Sequence, residues 1–383
     1  MAKKTTPCTA HPAGSHPYLF AKMNRLTSMR PKKRLGFLSP LYLFGVALHR
    51  SLYEWKIIVP FTPNQPTLAI GNLHAGGTGK TPVALWVVEK LQPHLPHIAY
   101  VSRGYGRKTK EALCVQLQDP VSQVGDEARM VRQHFGHSPD VSVVVAHQRK
   151  DAFALLPKDC PVILDDALQH WALCSQVTLL VCPHGKWYTD EQVLPAGPLR
   201  EHPQAASRFS AVLISKCPYP MDAHERLAMV QKLGLHKEQK LFCAQEKMGE
   251  PQAQWNAPTW KGDETSLVFS GIGAAQDFEA FAEHPDRYPQ GGVAAMTLRF
   301  PDHSPMDASR YQKIAEDAFQ AGCNTLLTTR KDLARLTKKP EAWADLQVYV
   351  IPHEADFGED EKPFLRWLES QWKAHGYRVP LPL

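Results

Sequence analysis

Short apolar runs separated by stretches of helical periodicity recur through residues 60–217. Thr67-Leu-Ala-Ile70, His97-Ile-Ala-Tyr-Val-Ser102 and residues 141–146, 161–164, 177–182 and 211–215 read as buried strands. Between the first two, Pro82 suits a first helical turn, and Ala84, Leu85, Val87, Val88 and Leu91 follow at helical spacing. Residues 125–135 open like a helix, with Asp126 and Glu127 in the first turn. Strands that are apolar throughout, alternating with helices, predict a mostly parallel sheet covered on both faces. A second alternation follows: strand 266–269, helix 276–284, strand 293–300, helix 307–321, strands 325–328 and 347–351, and a closing helix 361–375. Residues 218–262, with Pro218, Pro220 and a Gln/Trp/Pro-rich tail, break the pattern and predict a boundary. The expected division is a basic arm (1–34), an interfacial helix (35–59), a nucleotide-binding core (60–217), a linker (218–262) and a smaller α/β domain (263–383).

Between the first strand and the first helix lies Gly71-Asn-Leu-His-Ala-Gly-Gly-Thr-Gly-Lys-Thr81, which has the form of a P-loop. Its glycines let successive N–H groups face phosphate oxygens, and the helix N-terminus adds partial positive charge. In such a loop the lysine reaches the β/γ-phosphates and the threonine hydroxyl ligates Mg²⁺. The cradle is expected from His74, Ala75, Gly76, Gly77, Thr78, Gly79, Lys80 and Thr81, with His74 where the common pattern has glycine. A chance Gly-Lys-Thr in a glycine-rich turn is the bland alternative, and the flanking strand and helix argue against it. Pro161-Val-Ile-Leu-Asp165-Asp166 then ends an apolar strand in acid, where P-loop proteins carry a carboxylate for Mg²⁺. A kinase also needs a proton acceptor for the incoming hydroxyl. Asp126-Glu127 and Asp302-His303 are the best placed, though helix caps or solvated loops would also use such residues.

Composition sharpens the picture in two places. The eight cysteines include no Cys-x-x-Cys pair, which points to buried reduced thiols rather than a metal or disulfide framework. The net charge of +6 is concentrated at one end: through residue 56 there are ten Lys/Arg against Glu54 alone, so the remainder is net acidic. That basic segment runs into an uncharged stretch, residues 35–49, bounded by Arg34 and Arg50. The stretch is short of the roughly 20 apolar residues a spanning helix needs. It fits an interfacial helix, with Lys32, Lys33 and Arg34 meeting an anionic membrane surface. A helix packed on the core or a basic arm for nucleic acid are the other readings. No nucleic-acid-binding motif accompanies the charge.

Across its length the chain resembles the tetraacyldisaccharide 4'-kinases, the lipid A 4'-kinases of Gram-negative bacteria. The likeness rests on Gly71-Asn72 with Gly76-Gly-Thr-Gly-Lys-Thr-Pro82, Ser102-Arg-Gly-Tyr-Gly-Arg107, Gly125-Asp-Glu127, Asp165-Asp166 with Gln169-His170, and Leu194-Pro-Ala-Gly-Pro-Leu-Arg-Glu201. Phe269-Ser-Gly-Ile-Gly273, Phe300-Pro-Asp-His303 and Lys331-Asp332 extend it through the second half. The resemblance implies a P-loop kinase-type core, ATP with Mg²⁺, and an acylated glucosamine disaccharide 1-phosphate as acceptor. It further implies a peripheral place on the cytoplasmic face of the bacterial inner membrane. By matching motif, Asp126 is the catalytic base with His303 as its partner. Lys80 and Thr81 hold phosphate and Mg²⁺, and Asp165 and Asp166 complete the metal site. Arg103, Glu127, Gln169, His170 and Arg200 line the site. The chain departs from the family pattern at Ala167, Leu168, Trp171, Ala274, Ala275 and Arg330.

The rival reading is a P-loop NTPase switch or metallochaperone-type protein with no lipid acceptor. Its variant loop would carry lysine at position 75, which is Ala75. A guanine-reading motif would need its lysine one place earlier than in Thr329-Arg-Lys-Asp332. Both observations favour the kinase.

Overall fold

The computed structural model describes residues 33–262, 265–272, 278, 293–301 and 306–379. The apolar run Thr67–Gly71 forms β1, buried along its whole length. Successive side chains alternate across a strand, so Leu68 and Ile70 enter one apolar layer while Ala69 enters the other. The same sheet takes in β2 (Ile98–Ser102), β3 (Leu113–Cys114), β4 (Val141–Val145), β5 (Val162–Leu164), β6 (Val177–Pro183), β7 (Ala211–Ser215) and β8 (Lys240–Cys243). Their order is β3-β4-β2-β5-β1-β6-β7-β8, and every pair is parallel except β3 with β4. A parallel sheet must be covered on both faces. This one is, with β1 near its centre.

The helices named below are α1 (Ser39–Glu54), α2 (Lys80–Leu91), α3 (Asp126–Phe135), α4 (Ala223–Lys232), α5 (Ala308–Gln320), α6 (Arg330–Leu333) and α7 (Glu361–Ala374). One face of the first sheet is covered by α2, α3 and α7, which supply Val83–Val88, Val131, Phe364, Leu368 and Trp372 to a single core. Trp86 on α2 stacks on Phe357 with ring centroids 3.8 Å apart. Trp372 on α7 is fully buried and donates its indole N–H to the Thr67 carbonyl at 3.1 Å. An indole held this way stabilises the core by about 3–5 kcal/mol, judged by what Trp→Ala changes cost elsewhere. The closing helix thus returns to the first domain. The expected assignment of residues 263–383 as one separate unit is corrected at its end, because an apolar stripe reveals that a helix needs covering but not by which sheet.

The second sheet is smaller. Ahead of it, β9 (Gln245–Met248) is the first strand of a ribbon, and β10 (Gln252–Gln254) is an edge of the sheet itself. With β11 (Thr265–Ser270), β12 (Val293–Arg299), β13 (Thr325–Thr329) and β14 (Gln347–Ile351) the order is β10-β14-β13-β11-β12, antiparallel only at β10. Finally β15 (His353–Asp356) pairs antiparallel with β9. Residues 218–262, expected as a linker, therefore carry α4 and β8 of the first domain, half of the ribbon, and β10 of the second. The helix expected over 276–284 lies outside the described residues apart from Phe278, which is buried against Val268 and Tyr349.

At the N-terminus a 3₁₀ turn (Lys33–Leu38) leads into α1, so the expected helix begins later and ends earlier than residues 35–59. None of its residues is fully buried. Tyr42 donates to the Arg200 carbonyl at 2.8 Å and Ser39 to that of Val193 at 3.2 Å, which fixes one face to the first domain. The opposite face presents Phe37, Leu41, Phe44 and Leu48, 50–75% exposed. Among the described residues no helix is long and apolar enough to cross a membrane.

Candidate active site

The C-terminal ends of parallel strands converge where ligands bind in open α/β sheets. Here β1 delivers the glycine-rich loop, β2 delivers Ser102 and Arg103, β4 leads to His147 and Arg149, and β5 delivers Asp165 and Asp166. The loop is built on internal props. Asn72 donates its amide to the Thr78 hydroxyl at 2.7 Å, and Ser215 at the end of β7 donates to the Thr78 carbonyl at 2.8 Å. Gly79, with φ of 81°, turns the chain into α2, which begins at Lys80. That conformation admits glycine without strain. Ala75 gives its N–H to the Pro198 carbonyl, and His74 is buried beside Leu199. Burial, then Lys186 and Lys80, pull the His74 imidazole down to about 4, so it is neutral at physiological pH. A buried neutral histidine braced on the 198–199 segment accounts for the odd residue at 74.

Beneath the loop, Asp165 is fully engaged. Its Oδ2 accepts from the Thr81 hydroxyl at 2.9 Å and from the Tyr100 phenol at 2.6 Å, and its Oδ1 from the Asp166 N–H at 2.9 Å. Burial raises its pKa foremost, opposed by the bond from Tyr100 and the charge of Lys80. Asp166 behaves oppositely. Its carboxylate meets Arg200 at 3.0 Å and Lys80 at 3.7 Å, with 40% of the side chain open to the cleft. Burial alone would raise its pKa, yet Arg200, Lys80 and Arg149 hold it well below the usual carboxylate range. The positive φ of Asp166 (45°) is the backbone turn that aims the two acids apart.

A cleft between this centre and α1 is lined by Arg103, Glu127, Arg149, Gln169, His170 and Arg200, with Tyr42 and His49 of α1 on its far wall. Gln169 donates to the Asn72 carbonyl at 2.9 Å, tying the Asp165–His170 turn to the loop. The His170 imidazole is lowered to about 3, by burial first and then by Arg149 and Arg103, and so stays neutral. Trp171, one of the departures, carries the Arg208 guanidinium on its ring face at 4.3 Å, and Arg208 pairs with Glu201 at 2.7 Å.

Asp126 starts α3. Gly125 before it has φ of 87°, and a Cβ there would meet the Tyr105 carbonyl at 2.9 Å. Only glycine brings the start of α3 so close to the Arg103–Arg107 loop. The Asp126 Oδ1 accepts the Glu127 N–H at 2.9 Å, and Oδ2 faces Arg335 at 3.2 Å. Glu127 is raised by burial and reaches Lys331 at 3.4 Å. His303 lies outside the described residues.

Several side chains of this centre are missing from the sequence-level expectation. Tyr100 reads as an ordinary core residue of an apolar strand, so nothing in the pattern marks its hydroxyl. Arg149 is buried and donates to the Asp165 and Asp166 carbonyls at 3.2 and 3.1 Å. Its signal was available, because it stands four residues past the end of β4, level with the other strand ends. Arg335 lies outside every quoted motif.

The donors fit a nucleotide with a hard cation. Among the described residues, Ser102 Oγ, Gln169 Oε1, Arg149 Nε, Arg200 Nε and His170 Nε2 on the cleft walls are buried without a hydrogen-bond partner. So many orphaned polar atoms in one cleft mark a place built for a polar ligand. Among the described residues no three His, Cys, Asp or Glu side chains form a metal cage. Mg²⁺ needs none, because it takes one or two carboxylates and fills its shell with water and phosphate oxygens. Thr81, Asp165 and Asp166 supply oxygens of that kind.

A model of the tetraacyldisaccharide-1-P 4'-kinase family, LpxK, matches residues 32–373. The chain belongs to that family. The tetraacyldisaccharide 4'-kinase of Parabacteroides distasonis is 30% identical over 371 residues, covering 90% of this chain and 96% of its own. That of Polaromonas is 30% identical over 323 residues, covering 82% and 86%. A solved structure of LpxK from Aquifex aeolicus in complex with ATP matches with a TM-score of 0.64 at 22% identity, covering 88% of this chain and 97% of that one. At that identity the likeness speaks for the fold. Membership in the LpxK family makes the chain a kinase of lipid A biosynthesis and leaves the switch reading without support.

Proposed function

We propose that the chain transfers the terminal phosphoryl group of Mg²⁺·ATP to the 4'-hydroxyl of a tetraacylated glucosamine disaccharide 1-phosphate, at an anionic membrane surface on the cytoplasmic side of the inner membrane. The observation that carries this reading is the joint placement of Lys80, Thr81, Asp165 and Asp166 at the strand ends beside a cleft reaching α1. The loop from His74 to Thr81 holds the phosphates, with Ala75 contributing through its backbone fold rather than its N–H. Thr81, Asp165 and Asp166 would hold Mg²⁺, which when bound would offset charge on the transferring group. Lys80, whose ammonium lies 3.7 Å from Asp166, would offset charge on the same oxygens.

Asp126 is the proposed proton acceptor for the 4'-hydroxyl, with His303 as its partner on the strength of the motif alone. Arg103 and Arg200 present donors toward the acceptor side of the cleft, Gln169 presents its amide oxygen, and neutral His170 offers a ring nitrogen there. Glu127 helps seat the start of α3. The test is incubation of the full chain with ATP and the 1-phosphate disaccharide in detergent micelles. One phosphate is expected to be added to the lipid, at a rate that depends on both substrates. ATP consumption of equal rate with and without lipid, and no phosphorylated lipid, would refute the kinase assignment for this chain.

The membrane placement rests on α1. Phe37, Leu41, Phe44 and Leu48 recur at three- and four-residue steps on the face turned from the protein, and the basic arm precedes them. Replacing Leu41 and Phe44 together by Asp is expected to lower co-sedimentation with anionic phospholipid vesicles about tenfold or more, with thermal stability unchanged. Undiminished sedimentation would remove α1 from the membrane contact.

A further inference from the structure

The start of α3 is clamped by the second domain at three points. Arg335 Nη2 lies 3.2 Å from Asp126 Oδ2, Lys331 Nζ lies 3.4 Å from Glu127 Oε1, and Arg129 donates to the Leu336 carbonyl at 3.2 Å. All three partners sit on or just after α6, at the C-terminal end of β13. They tie the first turn of α3 to α6 and the residues that follow it.

The first of these ties is organised in depth. Arg335 is bound to Asp332 at 2.8 Å and donates to the Gly271 carbonyl at 3.2 Å. Asp332 in turn accepts from the Gly271 N–H at 3.0 Å and the Thr329 hydroxyl at 2.7 Å. The Asp332, Arg335 and Asp126 side chains are 1%, 7% and 6% exposed. A row of two carboxylates bridged by one guanidinium, shielded from water, is strong in its geometry and costly to break at either end. Nothing in the packing of either domain alone requires it. Each domain has its own core, and the ladder spans the seam between them.

We propose that Arg335 is a positioning residue for the transfer reaction: anchored on Asp332 of the second domain, it sets the direction and charge balance of the Asp126 carboxylate across the interdomain seam. This rests on the reading of Asp126 as the proton acceptor. With Oδ1 held by the Glu127 N–H and Oδ2 by Arg335, the plane of the carboxylate is fixed at two points. The planar guanidinium presents its two Nη groups to the two carboxylates in a fixed fork, whereas an ammonium is a compact point charge. The proper docking of the two domains thereby becomes a condition for a correctly aimed base.

The test uses the full chain and measures kcat and both KM values. Arg335→Met combined with Asp332→Asn removes the ladder and leaves no unpaired charge on the second-domain side, while the Asp126 carboxylate loses its cation. It is expected to lower kcat about 10- to 100-fold while KM for ATP changes by less than about threefold. Arg335→Lys keeps the charge but not the fork and is expected to restore a part of kcat. The decisive readout is a cycle with Asp126→Asn. If Arg335 acts through Asp126, removing the ladder in the Asp126→Asn background brings no further loss. A wild-type kcat in the double variant, or an equal loss in both backgrounds, would overturn the proposal. Should the double variant fail to fold, Asp332→Asn alone, which loosens the anchor and leaves Arg335 in place, enters the same cycle with the same expectations. A fully active Asp126→Asn variant would remove the base assignment, whereas an inactive one beside fully active ladder variants would remove only the role of Arg335.

Discussion

Lys80→Ala is expected to lower kcat by about 10³-fold. The reason lies in what surrounds the ammonium. Lys80 is the first residue of α2, follows the left-handed Gly79, and has only 12% of its side chain exposed. It stands 3.7 Å from Asp166, whose other partner is Arg200. Alanine removes the cation that stands beside the Asp166 carboxylate at the start of α2. The terminal phosphate then meets Asp165 and Asp166 with less positive charge between them. The loss should fall on kcat as well as on KM for ATP, because charge on the transferred group is stabilised together with its binding. Little stability should be lost, since Lys80 is paired on one side only and α2 is held by its apolar face. Steady-state kinetics with a thermal melt check this. A variant that keeps kcat and loses only ATP affinity would reduce Lys80 to a binding residue.

Asp126→Asn is expected to lower kcat by about 10²- to 10⁴-fold with both KM values nearly unchanged. The substitution keeps the shape of the side chain, so it isolates the ability to take a proton. Asparagine keeps one of the two bonds, from the Glu127 N–H or the Arg335 guanidinium, through its single carbonyl oxygen. It offers the incoming hydroxyl no basic lone pair. The side chain is nearly buried and Gly125 fixes its backbone, so no repositioning restores the function. Single-turnover measurements with saturating ATP and lipid separate this chemical step from product release. Wild-type single-turnover rates would assign the base elsewhere.

Much of this centre is legible from the amino-acid sequence because its chemistry is local. A glycine-rich turn between a strand and a helix, or two acids at the end of an apolar run, is written in a few consecutive residues. The fold class follows for the same reason: runs such as Val-Ile-Leu before Asp165 are apolar on both faces, which only a covered parallel sheet accommodates. What escapes is whatever depends on contacts between distant segments. The helix Glu361–Ala374 advertises an apolar stripe, and only the fold reveals that the stripe covers Leu68 and Trp86 rather than the nearer second sheet. Residues 218–262 look like a linker by their prolines and polar residues, yet edge strands such as β8 and β10 are short and tolerate such composition. Tyr100 and Arg335 are silent for a further reason. A tyrosine in a strand and an arginine after a short helix acquire their meaning only from the carboxylates that β5 and α3 bring to them.

The central claim is that phosphate passes from ATP to one particular oxygen of a lipid sugar. The most direct measurement is phosphorus–proton correlation NMR on the lipid recovered after reaction with ATP, for the wild-type chain and for Asp126→Asn. A new phosphate monoester signal coupled to the 4' proton of the disaccharide is expected with the wild type and absent with the variant. Inorganic phosphate as the only product, or a new ester at any other position, would contradict the account.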